Sequence, residues 1–395
     1  MRIDENIRTA LNLLHRAGYE AFIVGGAVRS WLLNQEVHDY DITTSAYPEE
    51  TEAVFKDYKI IETGLKHGTV TVHINHEPVE ITTYRIEQGY SDHRHPDEVR
   101  FTRSLKEDCA RRDFTINAMC WSEETGLVDF YGGYEDLQNH LIRTVNDPYE
   151  RFEEDALRIL RALRFMSVLG FDIEETTEAA INEKKNELNY VSNERISEEF
   201  NRLLCARPSK VLKEFRSVIE VFLPCLSLYD EKAWNTITER IERCTDDYRT
   251  RLAYLLSRIS EAEVSKVMKK LKYSGDDRKA VLNLLEVKDM PVSAKPGLKR
   301  VLNRLFVPFE DYLSFQSACD DSFDSDQVYA LYCSIKENNE CYDLKHLAIS
   351  GSDLKSLGYE KSAIGEALND CLSAVMDETV ENKKDALTAF LASKH

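Results

Sequence analysis

Apolar residues recur at helical spacing from the start of the chain. Ile7, Leu11 and Leu14 share a face with His15, which predicts an amphipathic helix over residues 5–17. Ala21-Phe22-Ile23-Val24 is a short uninterrupted apolar run, the pattern of a buried strand, and Gly25-Gly26 ends it. A helix is predicted from Ala27 to Leu33, then a strand over Asp39-Tyr40-Asp41-Ile42-Thr43. Thr69–Ile74 and Pro78–Tyr84 alternate at period two on either side of Asn75-His76-Glu77, which predicts a hairpin. Residues 87–103 are polar and turn-rich and are predicted to form a mobile loop, and Phe114–Met119 and Leu127–Phe130 read as further strands.

After Asp147-Pro148 the period changes. From residue 150 onward the apolar spacing is helical almost throughout, with breaks near Pro208, Pro224, Pro291–Pro296 and Pro308, and there is no fixed-period repeat. The predicted fold class is therefore α+β: a small mixed-sheet head followed by an all-α remainder.

Composition narrows this picture only a little. At 395 residues the chain is long enough for two to four domains, and 43% hydrophobic residues suffice for their cores. No apolar run approaches the ~18 residues of a membrane span, and the first residues lack the apolar core of a signal peptide. Nine cysteines without a CxxC pair argue against a disulfide framework or zinc site. Cys109, Cys120, Cys205 and Cys371 are expected in the core, and the compartment is expected to be cytoplasmic. The net charge of −19 gives no support for a nucleic-acid partner, although the basic residues lie mainly after residue 150.

Three parts of the head carry candidate chemistry. Val24-Gly25-Gly26-Ala27-Val28-Arg29 is a strand, a glycine turn and a helix start, a segment that brings backbone N–H groups and a guanidinium to an anion. Asp39 and Asp41 stand two apart, so on a strand both carboxylates would point to one face, an arrangement that a cation such as Mg²⁺ relieves. Glu80, in the second hairpin strand, could complete a carboxylate triad. Each part alone has an ordinary structural explanation: a turn, a surface Asp pair, a solvent-face strand residue. Their order and spacing are what make the combination specific.

Gly25-Gly26-Ala27-Val28-Arg29 followed by Asp39-Tyr40-Asp41 resembles motif A of class II nucleotidyltransferases, the bacterial tRNA CCA-adding enzymes and their poly(A) polymerase relatives. The resemblance continues in order. Arg111-Arg112-Asp113-Phe114-Thr115-Ile116-Asn117-Ala118 is similar to motif B, and Asp129 to Leu137, with Gly132-Gly133, to motif C. Glu154-Asp155-Ala156-Leu157-Arg158 with Arg161 and Arg164 is similar to motif D, and Glu194-Arg195-Ile196 through Glu199-Phe200 to motif E. Ile349-Ser350-Gly351-Ser352-Asp353-Leu354, with Gly358 and Ile364-Gly365, resembles the family tail. Ser30 stands where the family usually has Asp, and the tail lacks the usual Pro-Gly before Ile364.

The resemblance implies a polymerase-β-like catalytic head (1–145), a helical neck that recognises the base (146–205), a body (206–300) and a tRNA-binding tail (301–395). It implies attack of the tRNA 3′-hydroxyl on the α-phosphate of CTP or ATP, with Mg²⁺ on Asp39 and Asp41 and Glu80 assisting. Gly26, Arg29, Arg112, Asp113, Asp155, Arg158, Arg161 and Arg164 would bind the nucleotide, with Arg112 favoured over Arg111 and Asp113 reaching the ribose 2′-hydroxyl. Asp155 and Arg158, three apart, are expected on one helix face, where a carboxylate accepts from the amine of cytosine or adenine and a guanidinium donates to the ring nitrogen. Motifs C and E are expected to be structural. The partners implied are tRNA, CTP and ATP, with no membrane and no stable protein partner. Lys266–Lys272 and Lys295–Arg300 are candidate phosphate contacts, with solvated helix faces as the plain alternative.

The alternatives are an enzyme adding only part of CCA, a poly(A) polymerase, and a catalytically silent tRNA-binding protein. The glycine-turn form and tail favour the CCA-adding branch over poly(A) polymerase, the full-length 87–103 segment argues against addition of CC alone, and intact Asp39, Asp41 and Glu80 argue against a silent protein.

Overall fold

In the computed structural model, described for residues 3–37, 39–64, 68–89, 97–360 and 362–394, the chain forms two compact units. One is Met1–Leu203 with Lys210–Pro224, and the other is Leu204–Ser209 with Cys225–His395.

The first unit begins with α1 (Glu5–Arg16), capped by the Asp4 carboxylate on the Asn6 N–H, and its apolar stripe Ile7, Leu11 and Leu14 is buried as the spacing predicts. There follow β1 (Ala21–Val24), α2 (Gly26–Leu32), β2 (Asp41–Thr44), α3 (Pro48–Val54), β3 (Lys59–Gly64), β4 (Thr69–Ile74) and β5 (Glu77–Thr83). Next come β6 (Arg85–Gln88), β7 (Glu98–Phe101), α4 (Leu105–Ala110), β8 (Cys120–Ser122), β9 (Gly126–Val128), α5 (Gly133–Gln138) and β10 (Leu141–Ile142). The unit continues through α6 (Pro148–Glu154), α7 (Leu157–Leu169), β11 (Asp172–Ile173), α8 (Glu175–Lys184) and α9 (Asn193–Leu204).

Seven strands form one mixed sheet in the order β3-β4-β5-β2-β1-β8-β9. Only β2 and β5 run parallel within it. The β4–β5 hairpin turns through Asn75 and His76, both at positive φ, as a two-residue hairpin turn requires, and Glu77 already belongs to β5. Phe22, Val24, Tyr84, Leu105, Cys109, Ala118 and Cys120 pack together in its core.

Four expectations change. The strand expected over 39–43 starts only at Asp41. The strand expected over Phe114–Met119 is a 3-10 turn at Thr115–Asn117, because the Asp113 carboxylate takes the Phe114 N–H and the Asn117 amide and curls the backbone. The loop expected over 87–103 has paired arms: β6 and β7 are antiparallel from Arg85↔Phe101 to Gln88↔Glu98, and its tip, 90–96, lies outside the described residues. Cys205 is exposed just past α9, whereas Cys109, Cys120 and Cys371 are buried; all nine cysteines are free.

The second unit is helical. Its tail core gathers Cys341, Leu347, Ile349, Leu354, Cys371, Leu372, Leu387 and Leu391. Lys299, on helix Lys295–Arg304, is almost fully buried and bonds Glu340 and Glu378 at 2.6 and 3.0 Å. Lys295 pairs with Glu340 and Arg300 with Asp377. This cluster is therefore committed to internal ion pairs and is not an open phosphate-binding patch. Lys266, Lys269, Lys270 and Lys272 are exposed. Among the described residues no helix is long and apolar enough to cross a membrane.

Candidate active site

Strand register assembles the acidic half of the site. Glu80 on β5 pairs with Asp41 on β2, and Asp41 pairs with Val24 on β1, so the three form one row across the sheet at about 5 Å per strand. Asp39 precedes β2 and does not obey strand alternation, but it lines the same groove of about 1110 Å³ as Asp41 and Glu80. All three carboxylates are exposed, and among the described residues no hydrogen bond or ion pair engages them. Uncompensated like charges held side by side fit a cation. They do not form a closed cage: among the described residues no three His, Cys, Asp or Glu side chains converge as a metal site.

The glycine turn follows Val24 directly. Gly25 sits at φ +71°, a left-handed conformation that glycine adopts without penalty. A Cβ there would lie 3.5 Å from Nη1 of Arg112, so motif B lays its second arginine against the turn. Arg111 instead caps α4 and faces Glu87 and Asp108. Nε of both Arg29 and Arg112 is buried without a hydrogen-bond partner among the described residues.

Behind the turn runs a continuous polar network around Phe165. Arg29 bonds the Asn117 side-chain oxygen, and Asn117 donates to Asp113 at 3.0 Å. Asp113 accepts from Arg161 at 2.8 and 2.5 Å, and Glu199 joins Arg161 at 3.6 Å to Arg164 at 2.6 Å. The guanidinium carbons of Arg29, Arg161 and Arg164 stand 4.9, 5.7 and 4.3 Å from the Phe165 ring centre. Burial, opposed by Asp113 and reinforced by Arg164 and Arg161, brings the Arg29 guanidinium down to about 10. Burial works against Asp113 ionisation, yet Arg161 and the Asn117 amide outweigh it and hold the carboxyl well below the usual range. The expected ribose contact of Asp113 meets an obstacle, because its two oxygens already accept from Phe114 N–H, Asn117 and two Arg161 nitrogens.

Asp155 and Arg158 do not share a helix face. The chain leaves α6 at Asp155, in extended conformation (φ −144°, ψ 100°), and α7 starts at Leu157. The Asp155 carboxylate is gripped by Arg195 of α9 at 3.2 and 2.8 Å and accepts from the Leu157 N–H at 3.1 Å. Arg158 is buried and donates to Glu154 (2.6 Å), Arg151 O (3.2 Å) and Arg111 O (3.1 Å). A guanidinium has five N–H donors, so Nε and one hydrogen on Nη2 remain, and a carboxylate offers about four acceptor positions, so Asp155 retains one. The two side chains are placed by different elements, yet both keep capacity for a base.

Motif C forms a turn in which Asp129 accepts from the N–H groups of Tyr131, Gly133 and Tyr134. A Cβ on Gly133 would come within 2.1 Å of the Thr115 carbonyl, so glycine is required where this turn meets motif B. Asn117, Glu199, Arg195, Phe165 and Asp108 belong to the site's support but were not singled out from sequence. Asp108 carried a signal, an acid between the apolar Leu105 and Cys109; the others had only their places in motifs.

Comparison with known proteins agrees with this architecture. Residues 21–143 match the family described as the poly A polymerase head domain, and 246–391 match a domain 2 of tRNA nucleotidyltransferases. The CCA-adding enzyme of Lactobacillus helveticus is 37% identical, over 96% of this chain and 95% of the relative. That of Bacillus licheniformis is 35% identical, over 97% and 96%. The crystal structure of the Bacillus stearothermophilus CCA-adding enzyme in complex with CTP superimposes with a TM-score of 0.75 at 28% identity, over 99% of this chain and 98% of that one. The Thermotoga maritima CCA-adding enzyme complexed with tRNA shares the fold, with a TM-score of 0.72 at 22% identity. A mixed-sheet head with a carboxylate row beside a glycine turn, a helical remainder and full-length identity to these relatives agree: the chain belongs to the CCA-adding enzymes, the nucleotidyltransferases that complete the 3′ end of tRNA.

Proposed function

We propose that this chain adds CMP and then AMP, from CTP and ATP, to the tRNA 3′ end, the 3′-hydroxyl attacking the α-phosphate and pyrophosphate leaving. The observation that carries this reading is the row Glu80–Asp41–Val24. It sets unpaired carboxylates one residue away from the turn where Gly26, Arg29 and Arg112 would hold the triphosphate. Enzymes of this kind are metal-dependent, and the ion proposed here is Mg²⁺, held by Asp39 and Asp41 with Glu80 assisting. When bound, such an ion supplies Lewis-acid polarisation of the phosphate and a lowered pKa for the attacking hydroxyl.

The protein's own part is positioning. Arg112 lies against the glycine turn and Arg29 on the helix that follows it, where their guanidiniums would face the phosphates. Arg161 and Arg164 extend the positive lining, held by Asp113 and Glu199. Asp155 accepts from the exocyclic amine of cytosine or adenine while Arg158 donates to the neighbouring ring nitrogen. Uracil and guanine present a carbonyl and a ring N–H there, leaving buried groups unpaired at ~1–3 kcal/mol each. In this reading Asp113 orients Arg161 and Asn117 and does not touch the ribose. The head, neck, body and tail divide near residues 145, 205 and 300, the exposed Lys266–Lys272 stripe meets tRNA phosphates, and the enzyme works in the cytoplasm. Asp41→Asn tests the reading: nucleotide addition disappears while tRNA still binds. Addition at near wild-type rate would refute the carboxylate assignment.

A further inference from the structure

Asp108 is wholly buried, and among the described residues none of its hydrogen bonds or ion pairs is to the carboxylate row. Its Oδ1 accepts from the backbone N–H of Arg85 at 3.2 Å and from Nε of Arg111 at 3.0 Å. Its Oδ2 accepts from Nη2 of Arg112 at 3.2 Å and lies 3.3 Å from the hydroxyl of Thr43, whose one proton it shares with the Thr82 carbonyl at 3.3 Å. These partners belong to three different parts of the head. Arg85 opens β6, the first arm of the hairpin that ends at β7. Thr43 lies on β2, two residues beyond Asp41. Arg112 lies against the glycine turn. The hairpin is tied a second time, because Glu87 pairs with Arg85 at 2.7 Å and with Arg111 at 3.3 Å. Asp108 is the one carboxylate paired with Arg112 among the described residues. Burial works against the charges of both groups, yet Arg111 first and then Arg112 hold the Asp108 carboxyl below its usual value, and Asp108 holds Arg112 above its own.

We propose that Asp108 is a positioning residue that aims Arg112 at the triphosphate and couples the β6–β7 hairpin to nucleotide binding. Asp108 holds Arg112 through Nη2 on Oδ2 and Arg111 through Nε and Nη2 on Oδ1, so one buried charge restrains both guanidiniums. The hairpin backbone hangs on the same oxygen that holds Arg111. A displaced hairpin therefore disturbs the carboxylate, and the carboxylate is what sets Arg112. The inference rests on the proposed contact between Arg112 and the nucleotide.

The test is single-turnover addition to saturating tRNA across a range of CTP or ATP concentrations, in a double-mutant cycle. Asp108→Asn keeps the side chain's size and removes its charge. It is expected to raise the half-saturating nucleotide concentration by about tenfold, with a smaller change in the rate at saturation. In an Arg112→Ala background the same substitution is expected to shift it by less than about twofold, because the group it aims is gone. A merely structural role would shift both backgrounds alike, and equal shifts overturn the coupling. Arg112→Ala with unchanged nucleotide dependence refutes the placing of Arg112 itself, which separates failure of that reading from failure of this inference. Removing a buried charge from beside two arginines can unfold the head. If Asp108→Asn does not fold, Thr43→Val, which removes one neutral donor to Oδ2, takes its place in the cycle. It is expected to give a smaller shift in the same direction, and no shift, or an equal one without Arg112, overturns the proposal.

Discussion

Asp155→Asn is the sharpest perturbation of base choice. The substitution keeps the side chain's shape, and either amide orientation gives up one of the acceptors now used by the Leu157 N–H and Arg195. It changes one acceptor oxygen into an amide that donates. Against cytosine or adenine the amide oxygen still accepts from the amine; against uracil or guanine the flipped amide donates to the carbonyl. Wild type loses ~1–3 kcal/mol on each of two mispaired groups with a wrong base, and the variant loses it on only one. Discrimination against UTP and GTP should therefore fall by roughly 10- to 100-fold. The pair with Arg195 is weakened as well, and because its side chains are only 16% and 23% exposed the stability loss should exceed the ~1 kcal/mol of a surface pair, so folding is checked alongside. Arg158→Ala is a poorer probe, because it leaves Glu154 to Arg151 alone and removes the donor to the carbonyls of Arg151 and Arg111. The assay is single-turnover incorporation of each of the four nucleoside triphosphates into tRNA lacking all of CCA and tRNA lacking only the terminal A. A variant that adds C and A slowly but rejects U and G as strongly as wild type would show that Asp155 does not read the base.

Deleting residues 90–96, within the loop expected over 87–103, should slow addition of A more than addition of C, measured on the same two tRNA substrates; equal slowing contradicts a role in switching between nucleotides. Asp113 has its folded pKa depressed, so its contribution to stability is present above the unfolded carboxylate value of about 3.9 and is lost as pH falls toward the folded value. Asp113→Asn should lower the melting temperature at neutral pH and flatten its fall below about pH 4, and parallel curves for the two proteins would count against the assignment. Lys299→Met should destabilise the second unit by ~1–3 kcal/mol in urea unfolding while leaving tRNA affinity unchanged, because its amine is spent on Glu340 and Glu378. Weaker tRNA binding at unchanged stability would return this cluster to the RNA surface.

Much of the head was legible because its signals are local. Ala21–Val24 with Gly25, and the alternation of Thr69–Ile74 with Glu77–Thr83, announce a strand, a turn and a hairpin within a few residues of one another. What sequence could not show was partnership across distance. Asp41 and Glu80 are neighbours because β2 and β5 pair in parallel, a register that no local pattern encodes. The break at Asp155 was hidden because Phe152, Leu157 and Leu160 keep a helical apolar rhythm through it with no glycine or proline, while the backbone opens to meet Arg195, 40 positions away. Asp113 misled in the same way: its carboxylate curls Phe114–Asn117 into a turn where the apolar run suggested a strand. The paired arms around 90–96 carry Glu87, Glu98 and Arg100, so their polarity masked a real ladder.

The central claim is that Asp39, Asp41 and Glu80, beside the glycine turn, transfer nucleotides to tRNA in the order C, C, A. The most direct measurement offers the protein, with Mg²⁺, three tRNA substrates: one lacking CCA, one lacking only the terminal A, and one complete. Each is given CTP, ATP or both, and the products are resolved at single-nucleotide length. The account predicts three added nucleotides on the first when both triphosphates are present, one on the second with ATP, none on the third, and none on any substrate with Asp41→Asn. Extension of the complete tRNA into an A tract, failure to add C to the first, or undiminished addition by Asp41→Asn would contradict it.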